Sequence, residues 1–251
     1  MPPKAVIKDK QQYIFKAFSD SDLICAFSSR QSGNMSLVYG DTGDSLKHRK
    51  EFLGGLGVDY RDLTCAKQVH GNQVAFVRQL DKGKGALLSA TALADTDGLI
   101  TNFTKIPLAI FTADCLSVFL FDRVNKAIGL VHAGWRSSRA EISVKAVQLM
   151  KKNFNTLPEN ICIGFGPGIR ECCHEVGEEF KNFFDYGLTK RNNRYYLDLS
   201  EVNKRQFLEL GVKAANIFDS GICTSCRNKD FFSFRKEEKR CGRMISVAML
   251  R

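Results

Sequence analysis

Cys115 and His132 are the two residues whose types and spacing invite metal chemistry. Residues 117–121 and 127–131 are short apolar runs rich in strand formers, and the polar stretch 122–126 between them predicts a β-hairpin. With its turn centred near Arg123 and Val124, Cys115 and His132 stand opposite each other at the open end. Directly opposed cross-strand residues have Cβ atoms roughly 5 Å apart. A metal with bonds of about 2.0–2.3 Å to imidazole nitrogen and thiolate sulfur can bridge such a pair. The register matters, because a slip of one residue would turn one of the two side chains to the other face.

A third donor has to come from elsewhere in the chain. Of the four histidines, His70 is the leading candidate, because Gln68-Val69-His70-Gly71 lies between a polar turn and the strand-like run 74–77. His48 sits in the charged segment 47–50 and reads as solvent-facing, and His174, beside Cys172 and Cys173, is an outside candidate. Two imidazoles and one thiolate suit Zn²⁺, with a fourth position left for water or substrate. Copper is also compatible with nitrogen and sulfur donors. Each residue has a plain alternative as well: a strand-end histidine is often a hydrogen-bonded structural residue, and a buried cysteine often fills core. Cys223-Thr224-Ser225-Cys226 is a lone CxxC without a second pair at zinc-ribbon spacing, so it reads as neither metal site nor redox motif, and Cys172-Cys173 has the same standing. Gly164, Gly166 and Gly168 match neither the P-loop nor the dinucleotide fingerprint and read as a tight loop.

The elements that must position these groups follow from periodicity. Residues 108–112, 161–165, 195–199 and 244–250 read as further strands. Ser138 and Glu141 form a capping-box pattern, and Ile142, Ala146, Val147, Met150 and Phe154 share one side of a helix expected over about 139–153. A helix is expected near 178–184, and another is expected to be capped by Ser200 and closed by Gly211. Strands and helices mix without strict alternation, which predicts a layered α+β fold with a mixed sheet. The 251 residues hold no repeat or low-complexity linker, so one domain over 1–251 is expected. At 44% hydrophobic and 25% charged residues, wholesale disorder is excluded. No run reaches eighteen apolar residues, and the polar, basic stretch 1–10 leads into no apolar signal region. The nine cysteines therefore read as reduced thiols of a cytoplasmic protein. The net charge of +10 is spread in short clusters, with no nucleic-acid-binding motif, so neither nucleic acid nor membrane is the expected partner.

Taken together, the motifs resemble those of the laccase-domain proteins, also named multicopper polyphenol oxidoreductases, a family that includes bacterial purine nucleoside phosphorylases. The resemblance rests on Ser28-Ser29-Arg30, Met35-Ser36-Leu37, Gln68-Val69-His70-Gly71, Asp97-Gly98-Leu99-Ile100-Thr101, Thr112-Ala113-Asp114-Cys115 and Val131-His132-Ala133-Gly134-Trp135-Arg136. It continues through Gly166-Pro167-Gly168-Ile169, Cys172-Cys173, Glu175-Val176-Gly177, Cys223-Thr224, 231–235 and Gly242-Arg243. It implies metal ligation by His70, Cys115 and His132, and an α+β sandwich similar to the catalytic domain of cytotoxic necrotizing factor toxins. It also implies zinc-dependent phosphorolysis of adenosine, inosine, guanosine or methylthioadenosine, with adenosine deamination. Phosphate would be the co-substrate, with Arg30 as the first choice to hold it and Arg235 and Arg243 as alternatives. Asp114, next to a ligand, would orient His132 or else cap a turn. Val38, Ser117, Ser137, His174 and Lys236 depart from the family's usual residues, and none is a ligand in this reading. Rival readings are copper-dependent polyphenol oxidation, for which one site of two imidazoles and a thiolate is few metals, and a peptidoglycan-editing muropeptide amide hydrolase, either with Cys115 as nucleophile and His132 as base or with the metal activating water.

Overall fold

The computed structural model describes residues 6–9, 12–15, 18, 22–238 and 241–251. Of the polar stretch 1–10, residues 1–5 and Lys10 lie outside the described residues. Two six-stranded mixed sheets form the centre. The first runs, in spatial order, β1 (Val6–Asp9), β2 (Gln12–Phe15), β3 (Leu23–Ser28), β15 (Met244–Leu250), β7 (Leu108–Thr112) and β4 (Thr64–Cys65). The second runs β14 (Ile217–Asp219), β10 (Ile161–Phe165), β8 (Leu116–Asp122), β9 (Ala127–Ala133), β6 (Gly98–Thr101) and β5 (Val74–Phe76). A small third sheet joins β11 (Glu175–Val176), β13 (Arg194–Leu197) and β12 (Leu188–Arg191).

The hydrophobic core divides into three sets that define the layers. One lies between the large sheets, where Phe15, Phe27, Ile110 and Met244 of the first meet Leu99, Phe119, Phe121, Ile128 and Leu130 of the second. The other face of the second sheet, with Val118, Leu120, Val131 and Ile163, is covered by α3 (Ile142–Phe154) and α4 (Leu199–Glu209). The other face of the first sheet, with Ile24, Ala109, Ile245 and Val247, is covered by α1 (Thr42–Gly54) through Phe52 and Leu53. The order is helix, sheet, sheet, helix, an α+β sandwich. Strands buried on both faces carry no polar alternation, which is why β8, β9 and β15 read in sequence as continuous apolar runs.

The local expectations change at helix ends and in the hairpin register. The chain forms a short α2 (Trp135–Arg139), breaks at Glu141 in the left-handed region (φ 57°), and restarts as α3. Ser138 and Glu141 therefore form no capping box: Ser138 lies inside α2, where its hydroxyl accepts from Asn203 Nδ2 at 2.9 Å. Asp198, not Ser200, caps α4, accepting from the backbone N–H groups of Ser200 and Glu201. Gly211 closes the helix as expected: it follows the C-cap Leu210 at φ 96°, its N–H donates to the Leu208 carbonyl at 3.0 Å, and Val212 N donates to the Phe207 carbonyl at 3.0 Å. Residues 178–182 form a 3₁₀ turn instead of an α-helix. In the hairpin, Ser117 pairs with His132 and Asp122 with Ala127, so the turn centres on Val124 and Asn125. Asp122 sets this turn by accepting from Val124 N and Asn125 N. The register is displaced by two residues from the expected one. An even displacement preserves the face, so Cys115 stays on the inter-sheet side with His132 but is its diagonal rather than its direct neighbour.

Candidate metal centre and its cavity

His70, Cys115 and His132 converge where the two large sheets open. Their ligand atoms all lie within 4.8 Å of one another, and the two imidazoles meet edge to face with centroids 4.8 Å apart. His132 is buried, Cys115 half-buried and His70 exposed, so the cluster opens to solvent on the His70 side. Each donor is delivered by a different device. His132 sits near the end of β9. Cys115 immediately precedes β8 and follows Asp114, which adopts φ 85° and turns the chain out of β7. His70 lies in a loop at φ 59°. That loop is anchored by Gln68, whose amide exchanges two hydrogen bonds with the Phe111 backbone, each 2.8 Å, and so imitates a further strand of the sheet.

Asp97 ties the donors together. Its carboxylate accepts from the backbone N–H groups of Val69 (3.1 Å), His70 (3.0 Å) and Gly71 (2.8 Å), and from His132 Nδ1 at 2.8 Å. The bond to Nδ1 fixes the tautomer and leaves Nε2 free to ligate. Of the two roles expected for Asp114, orienting His132 or capping a turn, the first belongs to Asp97. Asp114 instead accepts from Thr224 Oγ1 and from Arg235 N, both at 2.6 Å, and pins the loop that carries Arg235. Asp97 had a sequence signal, as the head of the motif Asp97-Gly98-Leu99-Ile100, but nothing in its spacing points to His132.

The electrostatics favour a ligating thiolate. Burial pushes the Cys115 thiol up, but the charge on His132 and hydrogen bonds from His132 and His70 outweigh it and bring the pKa down to about 6. Burial also disfavours charge on His132, while the Cys115 thiolate and Asp97 raise it to about 9. Both directions favour the Cys115 thiolate, which is the form that binds metal. Gly134 completes the fit: a Cβ there would stand 3.0 Å from Cys115 Sγ and 3.2 Å from His70 Cδ2. The donor set, its deprotonated thiolate and this cleared space suit a Zn²⁺-like cation.

The cluster lies in the wall of a cavity of about 580 Å³ whose lining also includes Tyr39, Arg49, Phe111, Asp114, Arg235 and Arg243. A match to the family model described as multi-copper polyphenol oxidoreductase laccase extends over residues 25–251. The chain belongs to this family. It is similar to purine nucleoside phosphorylase YlmD of Geobacillus stearothermophilus, 32% identical over 223 residues that cover 85% of this chain and 81% of that protein. It is also similar to adenosine deaminase RL5 of an unknown prokaryotic organism, 30% identical over 200 residues and 76% of each. The crystal structure of YlmD from Geobacillus stearothermophilus matches with a TM-score of 0.95 at 28% identity, covering 99% of this chain and 100% of that one.

Among the arginines of this family member, Arg30 does not line the cavity. Its guanidinium bonds to Glu237 and to the carbonyls of Asn228 and Phe231, and stacks on Phe232 with its carbon 4.4 Å from the ring centroid. Arg30 therefore joins two loops, and the guanidiniums at the cavity are those of Arg49, Arg235 and Arg243. Arg235 bonds to the carbonyls of Cys173 and Glu175, and Arg243 to those of Cys241 and Gly242 while stacking on Tyr39. Arg49, which belongs to none of the sequence motifs, is buried in α1 and bonds to the carbonyls of Met35, Gly85 and Ala86. No carboxylate among the described residues pairs with it. Arg49 shares the buried side of α1 with Ser45, Phe52 and Leu53 at helical spacing. His48 is half-buried rather than solvent-facing, its Nδ1 3.0 Å from the Asn34 carbonyl. His174 stands outside the donor cluster but on the cavity wall, with Nδ1 3.1 Å from the Leu197 carbonyl. Burial and the nearby Arg235 charge push its pKa down to about 4, so the ring is neutral.

Proposed function

We propose that this chain is a zinc-dependent purine nucleoside phosphorylase that also deaminates adenosine. The observation that carries this reading is the meeting of His70, Cys115 and His132 in the wall of a cavity that is also lined by Arg49, Arg235 and Arg243, whose guanidiniums bond to carbonyls. Two relatives bear these activities in their names. The cavity volume lies within the range of about 300–1,000 Å³ usual for small-ligand sites. His70, Cys115 and His132 would hold the metal, which when bound supplies Lewis-acid polarisation of an oxygen donor.

The remaining work falls to the chain's own groups. Tyr39, Phe111 and Phe234 offer flat apolar faces to a purine at the cavity wall. Arg235 and Arg243 present guanidiniums whose present partners are carbonyls, so each can donate to phosphate in a charge-assisted bond. Buried Arg49 adds positive potential that draws the dianion and opposes its loss of solvent. Neutral His174, with Nδ1–H committed to Leu197 O, keeps an acceptor at Nε2 for a sugar hydroxyl or an exocyclic amine. Asp97 holds the His132 ring and the His70 loop in one geometry.

The test measures inosine and adenosine turnover by the zinc-loaded chain, with and without phosphate. Ribose 1-phosphate should form from inosine only when phosphate is present, and adenosine should yield some inosine. His132→Ala should abolish both reactions while leaving the far-UV circular dichroism unchanged, and Cys115→Ser should lose zinc from this centre. Arg243→Ala should raise the KM for phosphate about 10-fold or more, the loss of one charge-assisted bond. A zinc-loaded chain that leaves both nucleosides untouched but cleaves a muropeptide amide, or a copper-loaded chain that oxidises phenols as its main activity, would overturn the reading.

A further inference from the structure

Four of the nine cysteines gather at a second point, away from His70, Cys115 and His132. The Sγ atoms of Cys172, Cys173, Cys223 and Cys226 all lie within 4.8 Å of one another. Cys226 Sγ stands 3.4 Å from Cys172 Sγ and 3.3 Å from Cys173 Sγ. A tetrahedral zinc with bonds of about 2.3 Å to sulfur sets its four ligands about 3.8 Å apart, so the observed spacings bracket the required geometry. Sequence spacing hides this donor set, because the partner of the CxxC is an adjacent cysteine pair some fifty residues earlier rather than a second CxxC.

Two loops bring the sulfurs together. The turn after β10 folds back through Cys173 N and His174 N to the Arg170 carbonyl, at 2.8 and 2.9 Å. The second loop makes a helical turn, Arg227 N to Cys223 O at 3.0 Å, and points the Cys226 N–H at Cys223 Sγ at 3.5 Å. A backbone N–H directed at sulfur favours its anionic form. The loops are clipped to each other by Gly168 N to Ile222 O and by Thr224 N to Gly168 O. Arg235, whose partners are carbonyls including that of Cys173, places a positive charge beside the cluster.

We propose that Cys172, Cys173, Cys223 and Cys226 bind a second, structural zinc ion that joins these two loops. Binding takes one proton from each thiol and releases four to solvent, forms four Zn–S bonds, and involves no oxidation or reduction. A disulfide would join only two of the four sulfurs, whereas a tetrahedral cation engages all of them and leaves no open position for substrate. The site has a consequence for the cavity: Thr224, between Cys223 and Ser225, holds Asp114, and Arg235 hangs from Cys173. The ion would therefore stiffen one wall of the proposed active site without taking part in its chemistry.

The experiment is elemental analysis of the full chain, expressed with added Zn²⁺ and purified anaerobically without chelator. Wild type should carry two zinc ions per chain, and Cys115→Ser one. Cys226→Ser, a change at an exposed side chain that the fold should accept, should also carry one and keep the His70–Cys115–His132 ion. Co²⁺ added to metal-free Cys115→Ser should produce the intense thiolate-to-cobalt charge-transfer absorption of a four-sulfur site, absent when Cys226→Ser is added. One zinc in wild type with none in Cys115→Ser would overturn the proposal. So would an intact mass two hydrogens light, with Cys226 blocked to alkylation, since that shows a disulfide in place of the ion.

Discussion

At the scale of single residues, Asp97 does the most positioning. One buried carboxylate accepts from three backbone N–H groups of the His70 loop and from the His132 ring. Burial alone would favour its neutral form, but the hydrogen bond and charge of His132 outweigh it and hold the pKa below the usual value. Asp97→Asn keeps the shape but removes the charge and puts a donor where an acceptor is needed. We expect zinc affinity at His70, Cys115 and His132 to fall about 10–100-fold, the usual effect of losing a group that orients a metal-bound histidine. Competition against a chelating dye measures this, and turnover at saturating zinc should recover further than turnover at limiting zinc.

Among elements, the turn from β9 into α2 decides how closely the donors approach. Gly134 is the N-cap of α2 at φ −77°, a conformation open to any residue, so its constraint is steric rather than conformational. The Cβ of Gly134→Ala would press on Cys115 Sγ and His70 Cδ2. We expect the variant to fold with unchanged circular dichroism and to bind zinc several-fold more weakly. Wild-type affinity in that variant would mean that the His70 loop yields freely. The glycines of 164–168 act through the same close approach. A Cβ at Gly166 would collide with Ser117 Oγ, and one at Gly168 would press on the Asp114 carbonyl at 3.2 Å. These contacts hold the Cys172–Cys173 loop against the strand end that carries Cys115.

Across the whole molecule, the site depends on the two large sheets staying packed, because its cavity is lined from both. Phe119 is fully buried between them, its ring centroid 5.2 Å from that of Phe15. Phe119→Ala should destabilise the chain by about 3–5 kcal/mol, the usual range for removing a core phenylalanine. Urea unfolding measures this as a lower midpoint. Because Phe119 packs in the core between the sheets and is not itself a ligand, zinc stoichiometry below the transition should remain that of the wild type.

Much of this was legible in the sequence because it rests on local periodicity. The apolar runs placed β7, β10 and β15 at their observed bounds, and hairpin parity put Cys115 and His132 on one face even though the register lay two residues away. Side-chain alternation has a period of two, so the face survived an error that the pairing did not. Helix ends were less legible: Ser138–Glu141 has the form of a cap, but packing of α2 against α4 through Asn203 placed it inside a helix. The rest belonged to tertiary structure. Asp97 reaches His132 across 35 residues, Asp114 reaches Thr224 across 110, and Arg30 reaches Glu237 across 207. The four clustered thiols come from two loops whose meeting depends on where the second sheet ends. Sequence spacing determined which side chains could share a strand face or a helix side, whereas only the packing of the sheets and the closure of long loops decided which polar groups found each other.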